Sequence, residues 1–321
     1  MKYTAGKHSY ELVEDWARCP ESVIMGDTLA VAIDAQDRVY VSAWSNPHII
    51  IFDRDGNVLT SWDGEGQIKM PHSIYVGPDG SIYCVDRDRH VVMKFSFEGK
   101  LLQVLGNMDK PSSTGFPGVV HPEHYTGRYE GWARARDYEW SKTRIGLPFN
   151  TPCGVFVTPS GEIYVADGYG NARIHKFSSD GKLILSWGEI GDAPGHFICP
   201  HSVWVDKHDR VWVTDRENFR IQIFDTQGNF LSEWQTDLPS PCYTFIDNEE
   251  KVYVPEWLTQ SLDIFTIDGK LIARWYNNEG EGVFPFITPH VAAVDSRGDI
   301  YVTAMPKDLG HKSLRKFVKV N

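Results

Sequence analysis

Residues Ile163–Trp187 read IYVADGYGNARIHKFSSDGKLILSW, and Val211–Trp234 read VWVTDRENFRIQIFDTQGNFLSEW. In both, an alternating apolar run leads to a Phe, then a Gly four residues later, then a Trp six beyond the Gly. The opening run recurs as VYVSA, IYCVD, VYVPE and IYVTA from Val39, Ile82, Val252 and Ile300. The Phe recurs as Phe52, Phe95, Phe265 and Phe317, and in four of the six units it lies 13 positions after the opening residue. Gly56, Gly99, Gly181, Gly228 and Gly269 follow the first five Phe, and Trp62, Leu105, Trp187, Trp234 and Trp275 follow those. Period-two alternation behind turns such as PDG, PSG and SRG is hairpin chemistry. Four short strands in roughly 40 to 50 residues make one propeller blade, so the six units predict an all-β, six-bladed β-propeller.

The sixth unit stops just after Phe317 and lacks an outer strand. Tyr10–Arg18 (YELVEDWAR), with Trp16 in the Trp position, is expected to supply it and leave no open sheet edge. Residues 1–321 then form a single domain. Its rhythm is broken once, by an insertion at about 107–150 that holds HPEHYTGRYEGWARARDYEW. Such a segment is a lid or binding loop, or else a clamp that only stabilises. His121 and His124 are poor metal ligands, since Pro122 spoils a helical presentation.

The remaining composition excludes more than it assigns. With 32 Lys+Arg against 43 Asp+Glu, a net charge of −11 opposes nucleic-acid and anionic-membrane partners. No run approaches the ~20 apolar residues of a membrane helix. Met1–Ser9 shows no signal-peptide core, and the five cysteines form no disulfide framework, so a cytoplasmic location is expected.

Ten residues before each opening residue stand Leu29, His72, Cys153, His201, Cys242 and His290, all but the first preceded by Pro. These positions should begin the inner strands and ring the central channel. The histidines fall in units two, four and six, so three imidazoles should converge on the axis as a His₃ site with one coordination place open, the arrangement of catalytic zinc. Cys153 and Cys242 share the ring and are expected to line the channel rather than bind metal as thiolates. Just after each second strand come Trp44, Arg87, Tyr169, Arg216, Trp257 and Met305. Arg and Tyr beside a cation suit carboxylate recognition, and a neighbouring Arg should depress the Tyr pKa and make it a usable base. The bland alternative is that Arg216 pairs with a nearby acid and Tyr169 caps its blade.

With these motifs the chain resembles the NHL-repeat propellers, and among them the peptidyl-α-hydroxyglycine α-amidating lyases, most densely over Ala166–Gly188 and Cys199–Phe224. The resemblance implies a zinc site at His72 (MPHSI), His201 (CPHSV) and His290 (TPHVA), a catalytic Tyr at Tyr169 and an active-site Arg at Arg216. It implies cleavage of N-(α-hydroxy)glycine compounds to an amide and glyoxylate. The family's second active-site Arg falls on Trp44, for which Arg87 on the next blade is a candidate replacement. The Asp that binds the family's structural calcium falls on Val291, with carbonyl positions at Val31 and Ile74, which argues against that calcium here. The family's disulfide cysteines have no counterparts; Gly170 and Trp212 stand at two of those positions.

The sequence thus predicts a zinc-dependent lyase acting on a small carboxylate-bearing hemiaminal such as an N-acyl-α-hydroxyglycine. Tyr169 and Arg216 would be catalytic, and Arg87, Trp44, Trp257 and Met305 would contact substrate. Two alternatives are a hydratase, dehydratase or carbon–oxygen lyase on the same His₃ site, and a non-catalytic NHL interaction propeller.

Overall fold

The structure is a computed structural model that describes residues 2–113, 147–235, 238–276, 288–304 and 313–320. Met305 and residues 114–146 of the insertion lie outside the described residues. Six antiparallel sheets follow one another along the chain as the blades of a six-bladed, all-β propeller. Blade 1 comprises Thr28–Ile33, Val39–Ala43, Ile49–Phe52 and Val58–Trp62. Blade 2 comprises Pro71–Val76, Ile82–Asp86, Val91–Phe95 and Leu101–Gly106. Blade 3 is built from Gly154–Val157, Ile163–Asp167, Arg173–Phe177 and Leu183–Trp187. Blade 4 follows with Pro200–Val205, Val211–Asp215, Arg220–Phe224 and Phe230–Trp234. In blade 5 the inner strand is only Phe245–Ile246, before Lys251–Glu256, Ser261–Thr266 and Leu271–Tyr276.

Blade 6 joins Pro289–Val294, Ile300–Ala304 and Leu314–Lys319 to a strand from the other end of the chain. That strand is His8–Val13, earlier than the expected Tyr10–Arg18, and Lys2–Ala5 adds a fifth strand outside it. Register sets the boundary. Leu12 lies opposite Phe317, and the chain leaves the sheet at Asp15, whose φ is 51°.

Trp16 therefore lies beyond the strand, yet it occupies the place of the repeated Trp. Its ring centroid is 5.5 Å from that of Phe52 in blade 1, as Trp62 is 5.2 Å from Phe95 and Trp234 is 5.8 Å from Phe265. Each anchor Trp thus packs on the anchor Phe of the following blade, which explains why both recur at fixed offsets. The intervening Gly is required by the same contact. Gly56 has φ +89°, and a Cβ there would lie 1.9 Å from the Trp16 carbonyl oxygen. Gly56→Ala should cost about 2–4 kcal/mol, from left-handed strain plus overpacking. Thermal unfolding checks this, and a melting temperature within about 2 °C of wild type would contradict it.

Candidate metal centre and active site

The inner strands begin with a local irregularity that aims the histidines. The ladder slips between Pro71 and Ser73, between Pro200 and Ser202, and between Pro289 and Ala292. A bulge of this kind turns a side chain out of strict alternation. It brings His72, His201 and His290 together, with ring centroids 4.9 to 5.1 Å apart. All three are buried, and one ligand nitrogen from each lies within 4.8 Å of the others.

The non-histidine members of the ring act through their backbone. His72 Nδ1 lies 2.7 Å from the Cys153 carbonyl, His201 Nδ1 2.7 Å from Cys242, and His290 Nδ1 2.7 Å from Leu29. A carbonyl only accepts, so each Nδ1 carries the proton and each Nε2 presents a lone pair. Every histidine is thereby oriented by the next blade around the ring, an outer-shell device common at metal sites. Burial, the largest cause, holds His72 and His201 well below the usual imidazole range, with like charges nearby adding to it. Burial likewise lowers His290 to about 4, against the pull of the Leu29 carbonyl.

Neutral rings with fixed tautomers suit a divalent metal, and His290 Nε2 is buried with no hydrogen-bond partner. The donor set fits zinc. It does not suit calcium, a hard cation that takes oxygen ligands, and Val291 brings no carboxylate where the resemblance implies an Asp. Cys242 also stays a thiol, its pKa pushed up to about 12 by burial.

These histidines carry a stability consequence in the metal-stripped protein. An unfolded imidazole titrates near 6.5, whereas His290 takes a proton only at about 4. As pH falls through that window the unfolded state binds the proton first, so stability is lost on acidification, by about 3 kcal/mol from His290 alone. Urea unfolding between pH 7 and pH 4 should show the fall, and His290→Gln should flatten it; equal slopes in the two proteins would refute the assignment.

The face above the ring is held by one repeated bond. The backbone N–H of Trp44 donates to the Asp27 carbonyl, Arg87 to Met70, Tyr169 to Thr151, Arg216 to Cys199 and Trp257 to Ser240. Each acceptor lies two residues before its ring position, so these five side chains stand over the histidine level. The preceding acids lock the same loops. Asp86 accepts from the Lys69 and Met70 amides, Asp215 from Ile198 and Cys199, and Glu256 from Ser240.

Tyr169 differs by one residue, the extra Gly168, at which a Cβ would meet the Pro200 carbonyl oxygen at 2.3 Å. This close approach brings the Tyr169 hydroxyl 3.1 Å from His72 Nε2 and 2.9 Å from His201 Nε2. Arg216 Nη1 donates to the same hydroxyl at 3.2 Å. The Arg216 guanidinium stacks on Tyr169 at 5.2 Å and on Trp257 at 5.4 Å. The expected depression of the phenol is corrected here: burial outweighs the Arg216 charge, and the Tyr169 pKa is raised.

His72, His201, His290, Tyr169, Arg216 and Trp257 therefore form one constellation. Arg87 is 8 % exposed, lies over the Trp44 ring at 6.0 Å, and adds its charge to those that disfavour the His72 cation. Met305 lies outside the described residues. Sequence reasoning missed Glu217, which pairs with Arg216 while buried, and Cys199, which packs with Cys153 against Tyr169. The DRE motif was the only signal for the first. At the other end of the inner strands a cavity of about 840 Å³ opens, lined by Tyr75, Phe156 and Trp204. Those rings pack at 4.7 to 4.8 Å across neighbouring blades, and none of the three histidines lines that cavity.

The fold is a six-bladed β-propeller, and the NHL repeat family model matches residues 149–177 and 197–224, in blades 3 and 4. The chain is 31 % identical over 257 residues to human NHL repeat-containing protein 3, which covers 76 % of this chain and 63 % of that protein. It is also 31 % identical over 196 residues to peptidyl-α-hydroxyglycine α-amidating lyase 1 of Drosophila melanogaster, over 57 % of this chain and 30 % of that one. The chain thus spans less than two thirds of the length of either relative. A streptogramin B lyase structure superposes with TM-score 0.60 at 13 % identity, covering 99 % of this chain and 100 % of that one, a likeness of fold. Among the described residues no helix is long and apolar enough to cross a membrane.

Proposed function

We propose that the chain is a zinc-dependent lyase that cleaves an N-acyl-α-hydroxyglycine or a similar carboxylate-bearing hemiaminal to an amide and glyoxylate. The observation that carries this reading is the Tyr169 hydroxyl, placed against two of three converging imidazoles and against Arg216. Similarity to amidating lyases at about 30 % identity supports it. His72, His201 and His290 would hold the metal, which supplies Lewis-acid stabilisation of negative charge on a substrate oxygen.

The protein's own groups account for the rest. Tyr169 would take the proton of the substrate hydroxyl as phenolate only with the metal's charge added to that of Arg216 beside its hydroxyl, the two together offsetting the burial that raises it. The carbon–oxygen bond becomes a carbonyl, the carbon–nitrogen bond breaks with its electron pair on nitrogen, and the phenol returns the proton to that nitrogen. Arg87 and Arg216 hold the carboxylate, and Trp44 and Trp257 back the two guanidiniums. The test is glyoxylate release from α-hydroxyhippurate by the zinc-loaded chain; no release from a preparation with one zinc per chain defeats the proposal.

A second reading is a non-catalytic interaction propeller. The broader coverage by NHL repeat-containing protein 3, whose name states no reaction, favours it. Metal analysis separates the two, since a scaffold has no need to retain zinc through dialysis.

A further inference from the structure

Both arginines of the site belong to a recurring tripeptide, Asp86-Arg87-Asp88 in blade 2 and Asp215-Arg216-Glu217 in blade 4. The first acid ties down the loop, and the Arg amide is bonded to the residue two before the histidine. The third residue then turns back on the guanidinium. Arg87 Nε donates to Asp88 Oδ1 at 2.8 Å, and Arg216 Nε donates to Glu217 Oε1 at 2.9 Å. Neighbouring residues in an extended strand point to opposite faces, so this contact needs the chain to leave the sheet. In blade 4 it does so through a 3-10 turn, Arg216–Asn218, ended by Phe219 at φ 55°.

We infer that Asp88 and Glu217 are positioning residues that hold Arg87 and Arg216 as a two-armed carboxylate receptor above the histidines, with Glu217 the stronger of the two. The inference deepens the lyase reading and rests on it for the role of the bound carboxylate. Engaging Nε fixes the roll of a guanidinium about its stem, and in blade 4 the Nη1 end is left facing Tyr169. Glu217 also takes Arg216 Nη2 at 2.8 Å, and both side chains are 2 % exposed; the Asp88 side chain is 30 % exposed. Charge-assisted pairs strengthen as water is excluded, which ranks Glu217 above Asp88. Glu217 Oε2 is buried without a partner. A packed apolar residue would avoid that desolvation, so stability alone does not explain a carboxylate here.

The test measures hippurate and glycolate binding by calorimetry to zinc-loaded protein, with zinc content and melting temperature recorded for each variant. Glu217→Gln should weaken both ligands at least about tenfold and Asp88→Asn about threefold, with zinc content unchanged. Glu217→Asp, which keeps the charge, should recover part of the affinity. It also carries the test if Glu217→Gln fails to fold, being expected about threefold weaker than wild type. Affinity within twofold of wild type in the folded Glu217 variants, affinity lost only in step with zinc and stability, or no binding of either carboxylate by wild type overturns the inference. Wild type that binds hippurate, loses it on Glu217→Gln and releases no glyoxylate leaves the receptor standing and removes only the lyase reading.

Discussion

His201→Ala and Tyr169→Phe should each abolish nearly all α-hydroxyhippurate turnover, for different reasons that metal analysis can separate. His201 donates its Nδ1 proton to the Cys242 carbonyl, and its Nε2 faces the point shared with His72 and His290. Its loss leaves two imidazoles where structural and catalytic zinc sites use three or four protein ligands. The variant should therefore lose most of its zinc as well as its activity. Tyr169→Phe keeps the ring that packs against His72 and His201 at 5.2 and 5.4 Å and removes only the hydroxyl. Zinc content should stay near wild type while turnover falls by roughly 100- to 10,000-fold, the usual worth of a general base. Full activity in either variant would falsify the site assignment. A Tyr169→Phe protein that loses zinc and activity together would show the hydroxyl to be structural.

Removal of residues 1–18 should unfold the propeller rather than shorten it. The deletion takes away the strand paired to Leu314–Lys319, and with it Tyr3, Tyr10 and Trp16, which are 8, 1 and 7 % exposed. Tyr3 and Tyr10 pack on Trp275 at 5.4 and 5.1 Å, and Trp16 packs on Tyr301 at 5.2 Å. The Trp275 indole also loses the Thr4 carbonyl as its acceptor. Burying three such side chains contributes about 5–9 kcal/mol, comparable with the whole stability of a typical domain. An open edge on Leu314–Lys319 would further invite aggregation. Circular dichroism and a cooperative melt decide the matter; a truncated, soluble protein with a native transition would disprove ring closure.

The repeat was legible because a propeller converts sequence offset into radial position. Residues at equal distance from each hairpin stand at equal depth in the ring, so His72, His201 and His290 could be placed on the axis without any pairwise contact being known. The anchor Phe and Trp and the face residues Tyr169 and Arg216 followed from the same counting. Boundaries were less secure: the closing strand is His8–Val13 because its register against Leu314–Lys319, and not the place of Trp16, decides which residues pair.

Local spacing determined the class of fold, the histidine ring and the identity of its face residues, since each depends on position within one blade. Only the tertiary structure decided how those groups behave. The carbonyls that fix the imidazole tautomers come from residues 81, 41 and 261 positions away. The Tyr169 phenol is raised rather than lowered because burial, which no spacing records, exceeds the pull of Arg216. Glu217 reaches its neighbour only because the backbone leaves the strand there. Periodicity fixes where a residue stands in its own blade, whereas charge state and orientation depend on the solvent excluded and the partners supplied by other blades.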